Sequence, residues 1–344
     1  MRKHTLIITL TVVIGLSFLT SWGVSKFRRN KGVNKTTPVE KTTLAYVNTT
    51  HAVLAGIALQ KGYFLEEGLE VTPREHSFGK STLDDMLQGN ADFATVADPP
   101  IMMAIMKDMK ISVIATIQTS NKDNAIIALK KSGILKPSDL KGRRISSTRT
   151  TTSDFFMDAF LVANEIGYED VKKINLKPEQ LQDALVKGQV DAVSAFQPFL
   201  LNMQMNLGDQ IVSFYDENIY TWTFNIVAKQ EFIRKNPETV KKLLRALLKA
   251  EQFVKQNDAE ARKIVSDYSG MSLDQVRAIW PHMRFAVTLD QFLVLALEDE
   301  SLWALNSGMI KKRNIPNFLN YFYFDGLESV NPDAIRILGR KPTD

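Results

Sequence analysis

The chain has 344 residues, of which 44% are apolar and 24% charged, and it contains no cysteine. At roughly 150 residues per domain, this length predicts about two domains that each bury a core. The absence of cysteine excludes disulfides, cysteine-ligated zinc, iron–sulfur clusters, a thiol nucleophile and a lipid-modified N-terminal cysteine.

The formal net charge of +5 is concentrated at one end of the sequence. Seven of the 43 Lys and Arg residues, and none of the 38 Asp and Glu residues, lie within residues 1–35. The remainder is therefore close to neutral and lacks the basic surface that nucleic acids require. We expect no nucleic acid partner.

Residues 5–24 form an uncharged stretch that follows a basic start. At about 1.5 Å per residue, a 20-residue helix spans the roughly 30 Å hydrocarbon core of a bilayer. The basic run at 26–31 disfavours cleavage, so residues 1–25 are interpreted as a membrane anchor, with a removed signal peptide as the alternative. Residues 26–42 are polar and predict a linker.

The body of the sequence begins with alternating strands and helices, and this pattern restarts after Lys136-Pro137. We predict a first set of strands at 43–47, 69–75, 92–96 and 111–117, with helices at 52–61, 81–88 and 99–107. The second set has strands at 144–147, 171–175 and 191–195, with helices at 153–165, 179–187 and 198–206. From residue 231 the pattern is mainly helical, at 231–235, 237–256, 258–268, 272–281 and 289–305.

Two α/β units followed by a helical C-terminal extension predict two lobes with a cleft between them. We expect lobe 1 to comprise residues 43–124 plus 226–344, and lobe 2 to comprise 125–225. The extended stretches 124–130 and 222–229 are the expected crossover segments, because two crossings permit hinge bending without unfolding either lobe.

Six short motifs occur in one order along the body: Ile57–Val71 (IALQKGYFLEEGLEV), Leu87–Phe93, Asp98–Pro100, Asp139–Gly142, Lys187–Ala192 and Ile315–Phe318. This series resembles the SsuA/THI5-like (NMT1) family of solute-binding proteins of ABC importers, over about residues 43–325. The resemblance implies an α/β, type 2-like periplasmic binding protein fold with two parallel or mixed sheets. It also implies a small-molecule ligand, ABC permease subunits as partners and no cofactor.

The candidate binding groups lie where strands end and helices begin, since ligands of open α/β sheets bind beyond the carboxyl ends of the strands. The hydroxyl-rich run after the first strand of the second set offers several hydrogen-bond donors beside one helix start, which suits a sulfonate, carboxylate or phosphate. The candidates are Asn48, Thr49, Thr50, His51, Phe78, Gly79, Lys80, Ser81, Asp98, Arg149, Thr150, Thr151, Thr152 and Ser153, with Phe196, Gln197 and Trp222 as a wall of the cleft.

Structural alternatives exist for several of these residues. Thr50 and Ser153 are equally suited to cap helices without any ligand. Asp98 is placed to accept a hydrogen bond from a ring N–H or an ammonium group, whereas the neutral Gln197 weakens the case for a cationic ligand. No metal-ligand spacing is present among the histidines.

The sequence contains no recognisable nucleophile, base and orienting group, so we expect a binding protein and not an enzyme. The expected function is closure of two lobes around a small, anionic organic solute outside the cytoplasm. One alternative is a membrane-tethered sensory or regulatory module. Another is the pyrimidine-synthesis branch of the resembled family, whose reactive histidine would fall near His51 but whose cysteine cluster is missing here.

Overall fold

A computed structural model of the chain describes residues 39–311 and 314–338. The predicted segment 1–25 therefore lies outside the described residues, as does most of the predicted linker. The end of that linker is corrected, because the first strand begins at Glu40 and residues 40–42 pair with the neighbouring strand. Within the two described stretches, no helix combines the length and apolarity needed to cross a membrane.

The larger sheet has seven strands in the order β12-β11-β4-β10-β3-β1-β2. The strands β2, β1 and β3 run parallel, whereas β10 runs antiparallel to both β3 and β4, so the sheet is mixed. Its strands are β1 (Glu40–Val47), β2 (Leu69–His76), β3 (Phe93–Ala97), β4 (Ile111–Ser120), β10 (Trp222–Lys229), β11 (Arg284–Asp290) and β12 (Ile335–Arg336).

The smaller sheet has five strands in the order β7-β6-β8-β5-β9 and is also mixed, because β5 runs antiparallel to β8 and β9. Its strands are β5 (Asn124–Leu129), β6 (Arg144–Ser147), β7 (Lys172–Asn175), β8 (Ala192–Phe196) and β9 (Ile211–Phe214).

Helices cover the two sheets and form most of the C-terminal third of the chain, as the sequence predicts. Their bounds are α1 (Val53–Gln60), α2 (Tyr63–Glu66), α3 (Gly79–Gln88), α4 (Asp98–Met106), α5 (Thr152–Ala163), α6 (Leu181–Val186), α7 (Phe199–Leu207), α8 (Gln230–Lys235), α9 (Pro237–Gln256), α10 (Asp258–Ser269), α11 (Leu273–Ile279), α12 (Gln291–Asn306) and α13 (Phe324–Val330).

The chain passes between the sheets twice, but not at the segments that the sequence predicts. Residues 124–130 form β5 inside the smaller sheet, and 222–229 form β10 inside the larger one. Both segments are apolar strands with a hydrogen-bonded neighbouring strand on each side. In an extended connection between the sheets, their backbone N–H and C=O groups would be unpaired. The connections are instead the short link 121–123 and the longer link 215–221.

The main core is continuous and contains buried side chains from both sheets, including Leu54, Phe93 and Phe156. A second, smaller cluster lies where α6 and α7 contact the five-stranded sheet, with Leu185 and Leu200 among its members. Helix α9 buries one face against α1, α2, α13 and β11, as its amphipathic sequence predicts. The core thus fixes the positions of the helices whose ends form the candidate site.

Replacement of Leu54 by Ala tests this packing. Leu54 has no exposed surface, whereas Leu65 on the neighbouring helix is 61% exposed. We expect Leu54→Ala to lower the free energy of unfolding by about 2–5 kcal/mol, because it removes buried methyl groups and leaves a cavity. Leu65→Ala should change it by less than about 0.5 kcal/mol. Urea unfolding followed by circular dichroism measures both, and equal losses of stability would contradict this packing.

Candidate functional site

Two helix starts, one beside each sheet, line a single cavity. Helix α3 begins at Gly79 after β2, and α5 begins at Thr152 after β6. The first N–H groups of a helix have no partner within the helix and carry partial positive charge. Gly79 permits this arrangement because a Cβ atom there would lie 3.1–3.3 Å from the Phe224 ring and the backbone of Val96 and Ala97.

The loop before α5 holds its shape through its own side chains. The backbone of Thr150 has φ = 61°, in the left-handed region, and its N–H donates to Asp154 Oδ2 at 2.9 Å. Ser147 Oγ donates to the other oxygen of Asp154 at 2.7 Å. Burial raises the pKa of this carboxyl group, while these hydrogen bonds oppose the shift. Asp154 therefore has a structural role, as its position in the first turn predicts.

We call the space between the two helix starts the inner cavity; it has a volume of about 20 Å³. The sequence candidates that line it are His51, Phe78, Gly79, Lys80, Thr151, Thr152, Phe196 and Trp222. The residues that sequence reasoning missed are Ala97, Pro100, Asp123 and Phe224. Of these, only Asp123 carries a signal in the sequence, since it ends a polar turn directly after a long buried strand.

His51 lies at the centre of an aromatic cluster in this cavity. Its ring centroid is 4.8 Å from that of Trp222, 5.5 Å from that of Phe224 and 6.2 Å from that of Phe196. His51 Nε2 donates to Asp123 Oδ1 at 2.9 Å, and both side chains are almost fully buried. The imidazole is thus held between aromatic rings and a carboxylate.

A second space, the outer cavity, adjoins the inner cavity and has a volume of about 410 Å³. Phe78 and Lys80 line both cavities, so the two are contiguous. The sequence candidates Arg149 and Thr150 also line the outer cavity. The lining residues that sequence reasoning did not select are Thr148, Asn175, Leu176, Lys177 and Gln180.

Several candidate residues line neither cavity and have structural partners instead. Among the residues near the helix starts, Asn48 Nδ2 donates to Glu75, Thr49 Oγ1 accepts from the N–H of His51, and Ser81 Oγ donates to the carbonyl of Phe78. Ser153 Oγ accepts from the N–H of Thr148, and Gln197 Oε1 accepts from the N–H of Leu201. Thr50 is fully buried, and its hydroxyl has no hydrogen-bond partner.

Asp98 is likewise withdrawn from both cavities and belongs to a buried polar cluster. Its Oδ1 accepts from Tyr220 Oη at 2.8 Å and from the N–H of Thr223 at 3.3 Å, and Tyr220 Oη also lies 3.4 Å from Glu300 Oε1. Burial raises the pKa of both carboxyl groups, and that of Glu300 well above its ordinary value because Asp98 lies beside it. Glu300 is therefore the protonated member of this pair of carboxyl groups.

Side-chain hydrogen bonds also connect elements of the two sheets around the cavities. Trp303 Nε1 on α12 donates to Asp158 Oδ2 on α5 at 2.8 Å, in the buried interior. At the surface, Ser77 contacts Glu179 at 3.0 Å and Gln275 contacts Asn202 at 3.1 Å. The two sheets thus lie in a closed arrangement around the inner cavity. Among the described residues, no cluster of three or more His, Asp or Glu side chains is arranged to hold a metal ion.

Comparison with known proteins identifies the family. The model of the family described as "NMT1/THI5 like" matches residues 48–261, which is more than half of the chain. The chain belongs to the NMT1/THI5-like family. This confirms the resemblance that the six sequence motifs indicate.

Two proteins similar to this chain have names that state a ligand. A putative aliphatic sulfonates-binding protein of Bacillus subtilis is 27% identical over 216 residues, which cover 61% of this chain and 65% of the relative. The taurine-binding periplasmic protein of Escherichia coli is 26% identical over 215 residues, with the same coverage. The chain thus matches slightly less than two thirds of the length of each.

A solved structure confirms the fold. The alkanesulfonate-binding protein SsuA from Xanthomonas axonopodis pv. citri, bound to MOPS, superimposes with a TM-score of 0.73 at 16% identity. The superposition covers 83% of this chain and 99% of that protein. The chain therefore has the fold of periplasmic binding proteins, as the sequence predicts.

Glu300 provides a test of the buried carboxyl pair. Because its pKa is raised in the folded state, the folded protein holds a proton that the unfolded chain releases above about pH 4.5. The contribution of Glu300 to the free energy of unfolding should therefore fall as the pH rises above about 4.5. We expect Glu300→Gln, which keeps a donor for Asp98, to flatten this dependence, and Glu300→Ala to cost about 1–3 kcal/mol by leaving Asp98 unsatisfied.

Urea unfolding at several pH values measures this effect, with Glu298→Gln on the exposed face of the same helix as the control. An unchanged pH dependence in Glu300→Gln would show that Glu300 does not hold the proton.

Proposed function

We propose that the chain is an extracytoplasmic solute-binding protein of an ABC importer, and that it closes two lobes around a small organic anion. The observation that carries the proposal is that α3 and α5, from opposite sheets, both begin at the inner cavity. Two positive helix ends that converge on one point stabilise an anion only when the sheets lie close together. The names of the relatives, which include sulfonate- and taurine-binding proteins, support the same class of ligand.

Lobe closure follows from the same geometry. We propose two lobes close to the expected 43–124 plus 226–344 and 125–225, with their boundaries moved to the links 121–123 and 215–221 so that β5 and β10 each stay within one lobe. A ligand that contacts both helix starts binds the closed form preferentially and therefore shifts the population towards it. A shift from 1:99 to 99:1 requires about 5.5 kcal/mol of preferential binding, which several charge-assisted hydrogen bonds of about 1.5–3 kcal/mol each supply.

Thr152→Glu tests this proposal, because it places a carboxylate at the first position of α5 and inside the inner cavity. An acidic residue at a helix start favours the helix, so we expect folding to be kept while anion binding is lost. Gln291→Glu is the matched control, since it puts the same charge at the same position of α12, away from both cavities.

Binding is measured by thermal shift and calorimetry with ethanesulfonate, taurine, nitrate and benzenesulfonate. A ligand at 100 times its Kd should stabilise the unmodified chain by about 2.7 kcal/mol. Unchanged binding by Thr152→Glu would remove this helix start from the site, and no stabilisation by any of these anions would contradict the proposed ligand class.

We further propose that residues 5–24 tether the body outside the cytoplasm. Because the chain has no cysteine, one engineered cysteine reports the location of the body without background. Lys131→Cys, at an exposed position, should react with a membrane-impermeant maleimide in intact spheroplasts. Labelling only after lysis would place the body in the cytoplasm and contradict an importer.

A further inference from the structure

Helix α12 belongs to the part of the protein that contains the larger sheet, but its C-terminal end reaches the smaller sheet. It begins directly after β11 and packs on α4, and its 16 residues give it a length of about 24 Å. Just beyond its other end, Ser307 and Met309 line a cavity of about 180 Å³ together with Ser147 of β6 and Lys173 of β7. The helix therefore connects the two proposed lobes.

A buried hydrogen bond joins α12 to the smaller lobe. Trp303 Nε1 donates to Asp158 Oδ2 on α5 at 2.8 Å, and the two residues are only 6% and 2% exposed. The hydrogen bonds of Ser77 and of Gln275, which also join the two sides, are exposed to water. Water replaces an exposed hydrogen bond at little cost, whereas a buried polar group that loses its partner is destabilising. We therefore expect the bond between Trp303 and Asp158 to oppose opening more than the exposed ones.

The acceptor of this bond has a charged partner within its own lobe. Lys173 Nζ lies 2.5 Å from Asp158 Oδ1 and 4.4 Å from the centroid of the Tyr168 ring. A carboxylate accepts a stronger hydrogen bond than a neutral oxygen does. Because Lys173 moves with Asp158, separation of the lobes breaks the bond to Trp303 but leaves the carboxylate paired. The contact is therefore suited to reversible release.

Aromatic packing accompanies the hydrogen bond. The Phe155 ring on α5 lies edge-to-face against the rings of Trp303 and Tyr220, with centroids 5.3 Å and 4.9 Å away. Tyr220 belongs to the link 215–221, and its hydroxyl lies 3.4 Å from Glu300, which precedes Trp303 by one turn of α12. Phe155 is thus packed between α12 and the link. Separation of α5 from α12 would expose the apolar surface of these rings to water, which adds to the cost of opening.

We propose that Trp303, Asp158 and Phe155 form a latch that stabilises the closed form of the two lobes before any ligand binds. None of the three lines the inner or the outer cavity. The latch nevertheless raises the affinity for a ligand of the closed form, because apparent affinity scales with the fraction of molecules already in the competent form. This inference rests on the proposed function, since it requires two lobes that open and close, and it describes how their closure is regulated.

The test measures the distance between the lobes of the full-length protein without any ligand. Because the chain has no cysteine, Thr72→Cys on β2 and Lys187→Cys after α6 attach one spin label to each lobe, both at exposed positions. Double electron–electron resonance then gives the ratio of closed to open molecules. We expect a closed population in the ligand-free protein. Trp303→Phe, which keeps an aromatic ring but removes the donor, should lower the ratio about tenfold, as expected for one hydrogen bond to a charged group.

Trp280→Phe is the matched control. Trp280 Nε1 donates to Asp258 Oδ1 at 2.6 Å, so this variant removes the same type of bond within the lobe that contains the larger sheet. It should leave the ratio unchanged. Asp158→Asn, which weakens the acceptor, should lower the ratio while Trp303 is present and have little further effect after Trp303→Phe. Circular dichroism verifies that each variant folds, and Asp158→Asn serves alone if Trp303→Phe does not.

The outcomes separate the latch from the proposed function. The absence of a closed population in the ligand-free protein, an unchanged ratio in the folded latch variants, or an equal decrease in Trp280→Phe would overturn the latch and leave a solute-binding protein. Failure of every anion of the thermal-shift panel to bind would contradict the proposed ligand class and leave the latch intact, because its readout needs no ligand. For any anion of that panel that does bind, Trp303→Phe should weaken binding and Trp280→Phe should not.

Discussion

The hydrogen bond between His51 and Asp123 is the constraint on which the candidate site depends. The two side chains come from opposite directions, one from the segment after β1 and the other from the link that leads into the smaller sheet. Both are nearly excluded from water, and separation of such a pair would leave a buried polar group unsatisfied at considerable cost. The pair therefore fixes the short link 121–123, which leads into the smaller sheet, relative to the segment after β1.

This constraint also determines how charge is distributed across the site. The Asp123 carboxylate must lie at the wall of the inner cavity to reach His51, and the aromatic rings of Trp222, Phe224 and Phe196 surround the imidazole. Negative charge is thereby placed deep inside, among apolar walls. The basic side chains of Arg149 and Lys177 lie further out, on loops that are not involved in this packing.

Much of this arrangement is predictable from the sequence, because strand–helix alternation locates helix starts and helix starts locate unpaired N–H groups. His51, Lys80 and Thr152 are found in this way. Asp98 and Asp123 show the limit of such reasoning. Each follows a buried strand, yet Asp98 is buried and bonded to Tyr220, whereas Asp123 lines the inner cavity. Hydrophobic periodicity predicts which face of a helix or strand is buried, but not which residues pack against that face. Lys177 could not be assigned either, since only the pairing of β6 with β7 brings its loop to the site.

The two links between the sheets are held by different buried acids, and this bears on how the lobes would open. The short link ends in Asp123, which bonds to His51, and the long link contains Tyr220, which bonds to Asp98 beside the protonated Glu300. Each of these two hydrogen bonds attaches one link to the part of the protein that contains the larger sheet. If the lobes opened while these two buried hydrogen bonds stayed intact, the backbone would bend at the end of each link that enters the smaller sheet. Such a motion would separate the hydrogen-bonded pairs farther from the links, Ser77 with Glu179 and Gln275 with Asn202. Because these pairs are exposed to water, breaking them costs little free energy, whereas opening would also break the buried hydrogen bond from Trp303 to Asp158, which connects α12 to α5.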